Sequence, residues 1–267
     1  MAPIAPNPLP WSIEAFRPYM TYEVLQEAVS VLRNFEGNST NLGRRRSIEM
    51  IRSLQRRTGL PWIADRKVQF GILINIEGSV FRRMKRVFTS FYLLDSQSYD
   101  QENLIKVTDF GKKLSAGVLS KEQFYAELIR KYSYPHPAYE ENVQAWKDIS
   151  PFHPMKFIAE VMSEMDKLDI SQYNGIQVKE FAVLIHPIAH QITSIEAATI
   201  LAKHYKTGTN ISHTRTDAVD RKISDLFGFL VAIEVLRKVG NATRANPQSK
   251  VFEEMQKQLA GKANRHA

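Results

Sequence analysis

SVFRRMKRVFTSFYLLDSQSYDQENLIKVTDFGKKL, residues 79–114, changes its hydrophobic period along its length. Over 79–91, Val80, Phe81, Met84, Val87, Phe88 and Phe91 recur at three- and four-residue spacing, the stripe of a half-buried helix. Arg82, Arg83 and Arg86 fall on the opposite face. YLLD (92–95) and LIKVT (104–108) are short apolar runs separated by the polar segment SQSYDQEN, and DFGKKL returns to a helical pattern. The order helix, strand, polar loop, strand, short helix is the carboxy-terminal half of a winged helix, with the loop as its wing.

Working outward, Thr21 caps a helix carrying Val24, Leu25, Ala28, Val31, Leu32 and Phe35 inward, stopped by Gly37 and Asn38. A second helix spans about 44–58 with Ile48, Ile51 and Leu54 inward, and ends at Gly59, Leu60 and Pro61. FGILINI within 62–78 fits a buried helix or a strand equally. Ser120 and Gln123 form a capping box for a helix through Phe124, Leu128 and Tyr132. YPHPAYEENVQAW (134–146), with Pro135 and Pro137, cannot be helical throughout and reads as a linker. Beyond it, Ser150 and Pro151 open a helix carrying Phe152, Ile158, Met162 and Met165. Further helices follow at Val178–Ile185, from Ser194 to Tyr205, over Asp217–Ile233 and near 248–259, with RKVGNATRANP (237–247) as a short second wing. The expected fold is mainly α with short β-hairpins: two winged-helix-like subdomains joined by a linker. The expected boundaries are an amino-terminal arm at 1–20, subdomains at 21–133 and 151–267, and a linker at 134–150. The four prolines among the first ten residues favour an extended or disordered leader there.

The chain has 267 residues, enough for two small cores. Its 36 Lys and Arg against 28 Asp and Glu give a net charge of +8, which points to polyanionic partners. It lacks cysteine, which excludes disulfides and thiolate zinc sites and fits a reducing cytoplasm, the expected compartment. A mean hydropathy of −0.31 and the absence of a long apolar run exclude a membrane-spanning helix. No secretory leader is visible at the amino end.

Arginine is the main chemical signal. Arg44, Arg45, Arg46, Arg52, Arg56 and Arg57 stand against a single Glu49 over 44–57, and Arg82, Arg83, Lys85 and Arg86 cluster over 82–86. A guanidinium can grip phosphate with two bonds or pair with O6 and N7 of guanine, so a helix in the major groove would present such a face. The helix after residue 217 offers Arg221 and Lys222, preceded by His213 and Arg215; Asp217, Asp220 and Asp225 dilute its charge. His186 and His190 are four apart, but Pro187 between them makes a structural reading stronger than a metal pair. Asp169 followed by QVK at 177–179 has glutamine where a nuclease needs an acid and lies in helical sequence. No phosphate-cradling glycine loop or nucleophile elbow is present, and no catalytic residue is assigned.

The order of segments resembles the DNA-recognition region of AlwI-type type IIS restriction and nicking endonucleases. The matching residues are WSIEAFRP (11–18), VLRNFEGN (31–38), IKVTDFGKKLSAG (105–117), FYAELIRKYSYPHP (124–137) and DISPF (148–152), with the basic helix near 217–239. Phe91 stands where that family often turns on glycine. The resemblance implies two winged-helix subdomains gripping a short asymmetric duplex, with cleavage supplied by a separate PD-(D/E)xK domain or subunit that would carry Mg²⁺. The chain itself needs no cofactor on this reading and is expected to bind as a monomer. Arg82, Arg83, Lys85 and Arg86 would face base edges or adjoining phosphates in one groove. Arg221, Lys222, His213 and Arg215 would serve the second unit, Arg44, Arg45 and Arg46 would hold phosphates, and Arg17 would anchor the arm. The alternatives are a tandem winged-helix transcription regulator on a palindromic site, an enzyme with an unrecognised nuclease site, and a scaffold whose basic faces are merely solvated.

Overall fold

A computed structural model describes residues 11, 13, 19–39, 44–62, 68–69, 72–73, 86–100, 102–134, 136, 138, 151–168, 170, 173–208 and 217–263. At 44, 68–69, 72–73, 100, 217–220 and 259–263 it describes the backbone alone. The chain divides into two compact units, Glu14–Phe124 and Tyr125–Ala267, the latter including Met1–Ile13. The division falls inside a helix, ahead of the linker expected at 134–150, most of which lies outside the described residues.

In the unit Glu14–Phe124, α1 (Tyr22–Arg33) starts where the Thr21 side chain accepts from the Val24 N–H, and it buries Leu25, Ala28, Val29, Val31 and Leu32. Gly37 then turns the chain at φ 78°, a conformation that costs glycine little. α2 (Arg44–Thr58) buries Ser47, Met50, Ile51 and Leu54. Ile48 was expected inward but is only half-buried. β1 (Val68–Gln69) pairs antiparallel with β2 (Ile72–Leu73), so Ile72 and Leu73 of FGILINI are strand, and the rest of that run lies outside the described residues. Residues 86–90 are helical, with Val87 and Phe88 buried, and the chain leaves them through Tyr92 at φ 57°. Leu94 bridges Val107, and Ser39 bridges Leu104, both antiparallel. The two expected strands are thus reduced to single bridges. The intervening segment, expected as an open wing, contains a helical turn, α3 (Ser96–Asp100), because the Asp95 carboxylate accepts from the Ser98 N–H at 2.7 Å and starts it. α4 (Asp109–Ser115) follows, and α5 (Lys121–Lys131) opens with the expected box: Ser120 Oγ accepts from the Gln123 N–H at 3.2 Å, and Gln123 Oε1 from the Ser120 N–H at 3.0 Å.

In the other unit, α6 (Pro154–Lys167) begins three residues later than the Ser150 cap implies. Phe152 is held extended by paired backbone hydrogen bonds with Tyr134 (2.7 and 2.8 Å), so the helix starts at the next proline. α7 (Val178–Leu184) is capped by the Glu180 carboxylate accepting from the Gln177 N–H, and a 3₁₀ turn (His186–Gln191) follows at Pro187. α8 (Ser194–Thr207) has a Thr193–Glu196 capping box and ends on Gly208 at φ 62°. α9 (Asp217–Ala232) leads through Glu234 into the antiparallel pair β3 (Leu236–Val239) and β4 (Ala242–Ala245), to which Ile176 adds a bridge at Thr243. α10 (Lys250–Ala263) is the last described element. Trp11 is buried here, its ring stacked 5.2 Å from Phe152 and set edge-on to His186 at 4.7 Å. The described architecture is therefore mostly helical with two short antiparallel hairpins. In each unit a single residue, Ser39 or Ile176, bridges to the last extended segment.

Candidate nucleic-acid interface

The α2 sequence RRRSIEMIRSLQRRT separates its faces cleanly. Arg45, Glu49, Arg52 and Arg56 occupy positions i, i+4, i+7 and i+11, a single line along the helix opposite its buried residues. All four are exposed, and with Ile48 and Gln55 they line an open cleft of about 1080 Å³. Eleven residues of helix rise roughly 16 Å, comparable to about five base-pair steps of duplex.

The flanking arginines are engaged within their own unit. Arg57 Nε lies 2.7 Å from Glu27, the Arg46 guanidinium donates to the Asn38 side-chain oxygen, and Arg56 reaches Ser53 Oγ at 3.5 Å. Arg56 and Arg57 also border a second cleft of about 460 Å³ with Ser30, Val31, Asn34 and Ser53. Among the described residues, Arg45, Glu49 and Arg52 make no ion pair or side-chain hydrogen bond. Glu49, one turn from both Arg45 and Arg52, offsets their repulsion by only a few tenths of a kcal/mol, so the line contributes little to folding.

Of the other residues singled out by sequence, Arg17, Arg82, Arg83, Lys85, His213 and Arg215 lie outside the described residues, and only the backbone of Arg44 is described. Arg86 is exposed at the start of the described part of its helix. On α9, Arg221 is exposed and Lys222 half-exposed, opposite the buried Ile223, Leu226 and Phe227. Partial burial raises the Asp225 carboxyl above its usual range, against the lowering influence of Arg221 one turn away.

Sequence reasoning left Arg52 and Arg56 out of the candidate site, although their phase with Arg45 was readable. It also passed over Arg237 and Lys238, exposed on β3 beside the Gly240 turn. The neighbouring Arg244 is a framework residue: its Nε and one terminal nitrogen lie 2.9 and 2.8 Å from Asp166 Oδ1, and its guanidinium sits 4.9 Å over the Tyr173 ring.

The titratable groups inside the carboxy-terminal unit form structural knots. Burial, reinforced by the Glu180 carboxylate that accepts from it, raises the Tyr205 phenol and keeps it neutral; its oxygen also lies 2.8 Å from the Gly175 carbonyl. His186 and His190 sit in the 3₁₀ turn, as the proline between them demands. Among the described residues no group of three metal-ligating side chains converges. No described helix is long and apolar enough to cross a membrane.

No family model matches the chain, and no curated protein matches it. Among solved structures, the chain is similar to the crystal structure of pyrene- and phenanthrene-modified DNA in complex with the BpuJ1 endonuclease binding domain. The TM-score is 0.60 at 12% identity, over 93% of this chain and 84% of the other. At that identity the likeness establishes a shared fold.

Proposed function

We propose that the chain is a sequence-specific double-stranded-DNA recognition module or subunit of a type IIS-like restriction endonuclease. Cleavage belongs to a separate PD-(D/E)xK domain or subunit holding Mg²⁺. The observation that carries the reading is the unpaired line of Arg45 and Arg52 on α2, extended by Arg56, over an open cleft on a basic chain. The fold likeness supports it, since that neighbour is an endonuclease binding domain seen with DNA. The bridges Ser39–Leu104 and Ile176–Thr243 support the winged-helix reading, because in both units a residue between two early helices bridges to the later of two extended segments, which pair at Leu94–Val107 in one unit and as β3–β4 in the other. On this reading Arg44 and Arg46 hold phosphates beside the line, Arg82, Arg83, Lys85 and Arg86 serve a groove from the same unit, and Arg17 anchors the arm. His213, Arg215, Arg221 and Lys222 serve the other unit.

Selection of bound duplexes from a random pool at physiological salt tests this. The expected result is one asymmetric motif bound by a monomer, with affinity falling steeply as salt rises because displaced counterions drive binding. The purified chain is expected to leave that duplex intact with Mg²⁺. Equal affinity for every duplex overturns the proposal, and a palindromic motif bound by a dimer replaces it with a transcription regulator.

A further inference from the structure

Glu49 stands in line with Arg45, Arg52 and Arg56, is exposed, and makes no ion pair or side-chain hydrogen bond among the described residues. Besides easing the repulsion between Arg45 and Arg52 along the helix, which is worth only a few tenths of a kcal/mol, two roles are open to a carboxylate there, and neither fits. A residue placed to orient the arginines would be bonded to one of them, as Glu27 is to Arg57 at 2.7 Å. A residue on a surface that only grips phosphate would oppose binding, because its charge repels the backbone its neighbours attract. A carboxylate is instead useful on a DNA-facing helix where a base edge offers an amino donor, and the major-groove donor that suits it is cytosine N4. Both arginines nearest to it in sequence on that line, Arg45 one turn before and Arg52 one turn after, fit guanine O6 and N7 in the same groove.

We infer that Glu49 is a specificity-determining residue that accepts a hydrogen bond from the N4 amino group of one cytosine in the recognised duplex. The inference rests on the DNA-recognition reading above and deepens it by naming a base and the side chain that reads it. It also implies sensitivity to one modification. A methyl group on that cytosine N4 removes a donor hydrogen or turns it away and adds bulk against the carboxylate.

The test uses the full chain, Glu49→Gln and Glu49→Ala, each passed through the same duplex selection at physiological salt. Both substitutions are on an exposed face, and an unchanged Tm verifies folding. The expected result is a wild-type motif containing a cytosine whose discrimination over the other bases falls about tenfold or more in Glu49→Ala, while affinity for unrelated duplexes rises. A duplex with N4-methylcytosine at that position is expected to bind the wild type about tenfold more weakly and Glu49→Ala no more weakly than the unmodified duplex. A wild type that selects a motif, with both variants keeping every base preference and binding all duplexes more tightly, overturns the assignment of Glu49 and leaves the DNA reading standing. A wild type without any preferred motif overturns both.

Discussion

At the residue scale, the motif Thr-x-x-Gly-Lys-x-Leu explains itself through Gly111. Thr108 Oγ1 accepts from the Gly111 N–H at 3.0 Å while its hydroxyl donates to the Tyr92 carbonyl, so one side chain both caps α4 and closes the turn after the helix at 86–90. A Cβ at Gly111 would lie 2.5 Å from the Leu93 carbonyl oxygen and 2.9 Å from Val107 Cγ1. Lys112 lies 3.2 Å from Glu36 of the other recognisable motif, VLRNFEGN, and the Gly37 N–H donates to Ile105 O at 2.8 Å. Alanine is the better helix former by about 1 kcal/mol, but the clash is with backbone that cannot swing aside, and overpacking of this kind costs about 1–3 kcal/mol. Gly111→Ala is therefore expected to lower the Tm by several degrees in thermal unfolding; an unchanged or raised Tm would show that the Leu93 turn yields freely. Trp11, Phe35, Tyr132, Tyr134 and Phe152 are likewise held by packing or by backbone pairing.

At the scale of elements, helix periodicity located α1, α2, α8 and α9 because their apolar stripes are continuous. It missed α3, a five-residue turn with no stripe of its own that is started by Asp95. It also opened α6 too early, since nothing local reveals that Phe152 pairs with Tyr134 eighteen residues back. The same limit applies to the candidate interface. The phase of Arg45, Arg52 and Arg56 can be read from spacing, but the pairing of Arg57 cannot, since its partner Glu27 lies on another helix. That distinction predicts different consequences for two arginines five residues apart. Arg52→Ala is expected to weaken duplex binding by about 1–3 kcal/mol and leave the Tm unchanged. Arg57→Ala removes an exposed pair worth at most about 1 kcal/mol of stability and is expected to leave affinity within about twofold. Binding titrations beside thermal melts separate the two; equal losses of affinity would mean that the interface includes the Glu27 side of α2.

At the scale of the whole molecule, DNA affinity and fold stability respond to pH through different groups. Guanidiniums stay charged across the accessible range, so the α2 line keeps its attraction for phosphate. Stability is set partly by histidines. Burial lowers the His153 pKa, against an opposing hydrogen bond between its Nδ1 and the Tyr132 carbonyl at 3.2 Å, and burial likewise lowers that of His190. A base whose folded-state pKa is depressed binds fewer protons folded than unfolded once pH falls below its ordinary value near 6.5. Stability from these two groups is therefore fully present above about pH 7.5 and declines as pH drops through the ordinary value toward the depressed ones. The Tm is expected to fall between pH 7.5 and about pH 5.5, and a His153→Gln, His190→Gln double variant is expected to show a shallower fall. With His213, the one histidine assigned to the interface, replaced in His213→Gln, duplex binding by the folded protein at fixed salt is expected to change little over the same interval. A Tm that rises on acidification, or a double variant with the wild-type slope, would place the proton linkage elsewhere in the chain.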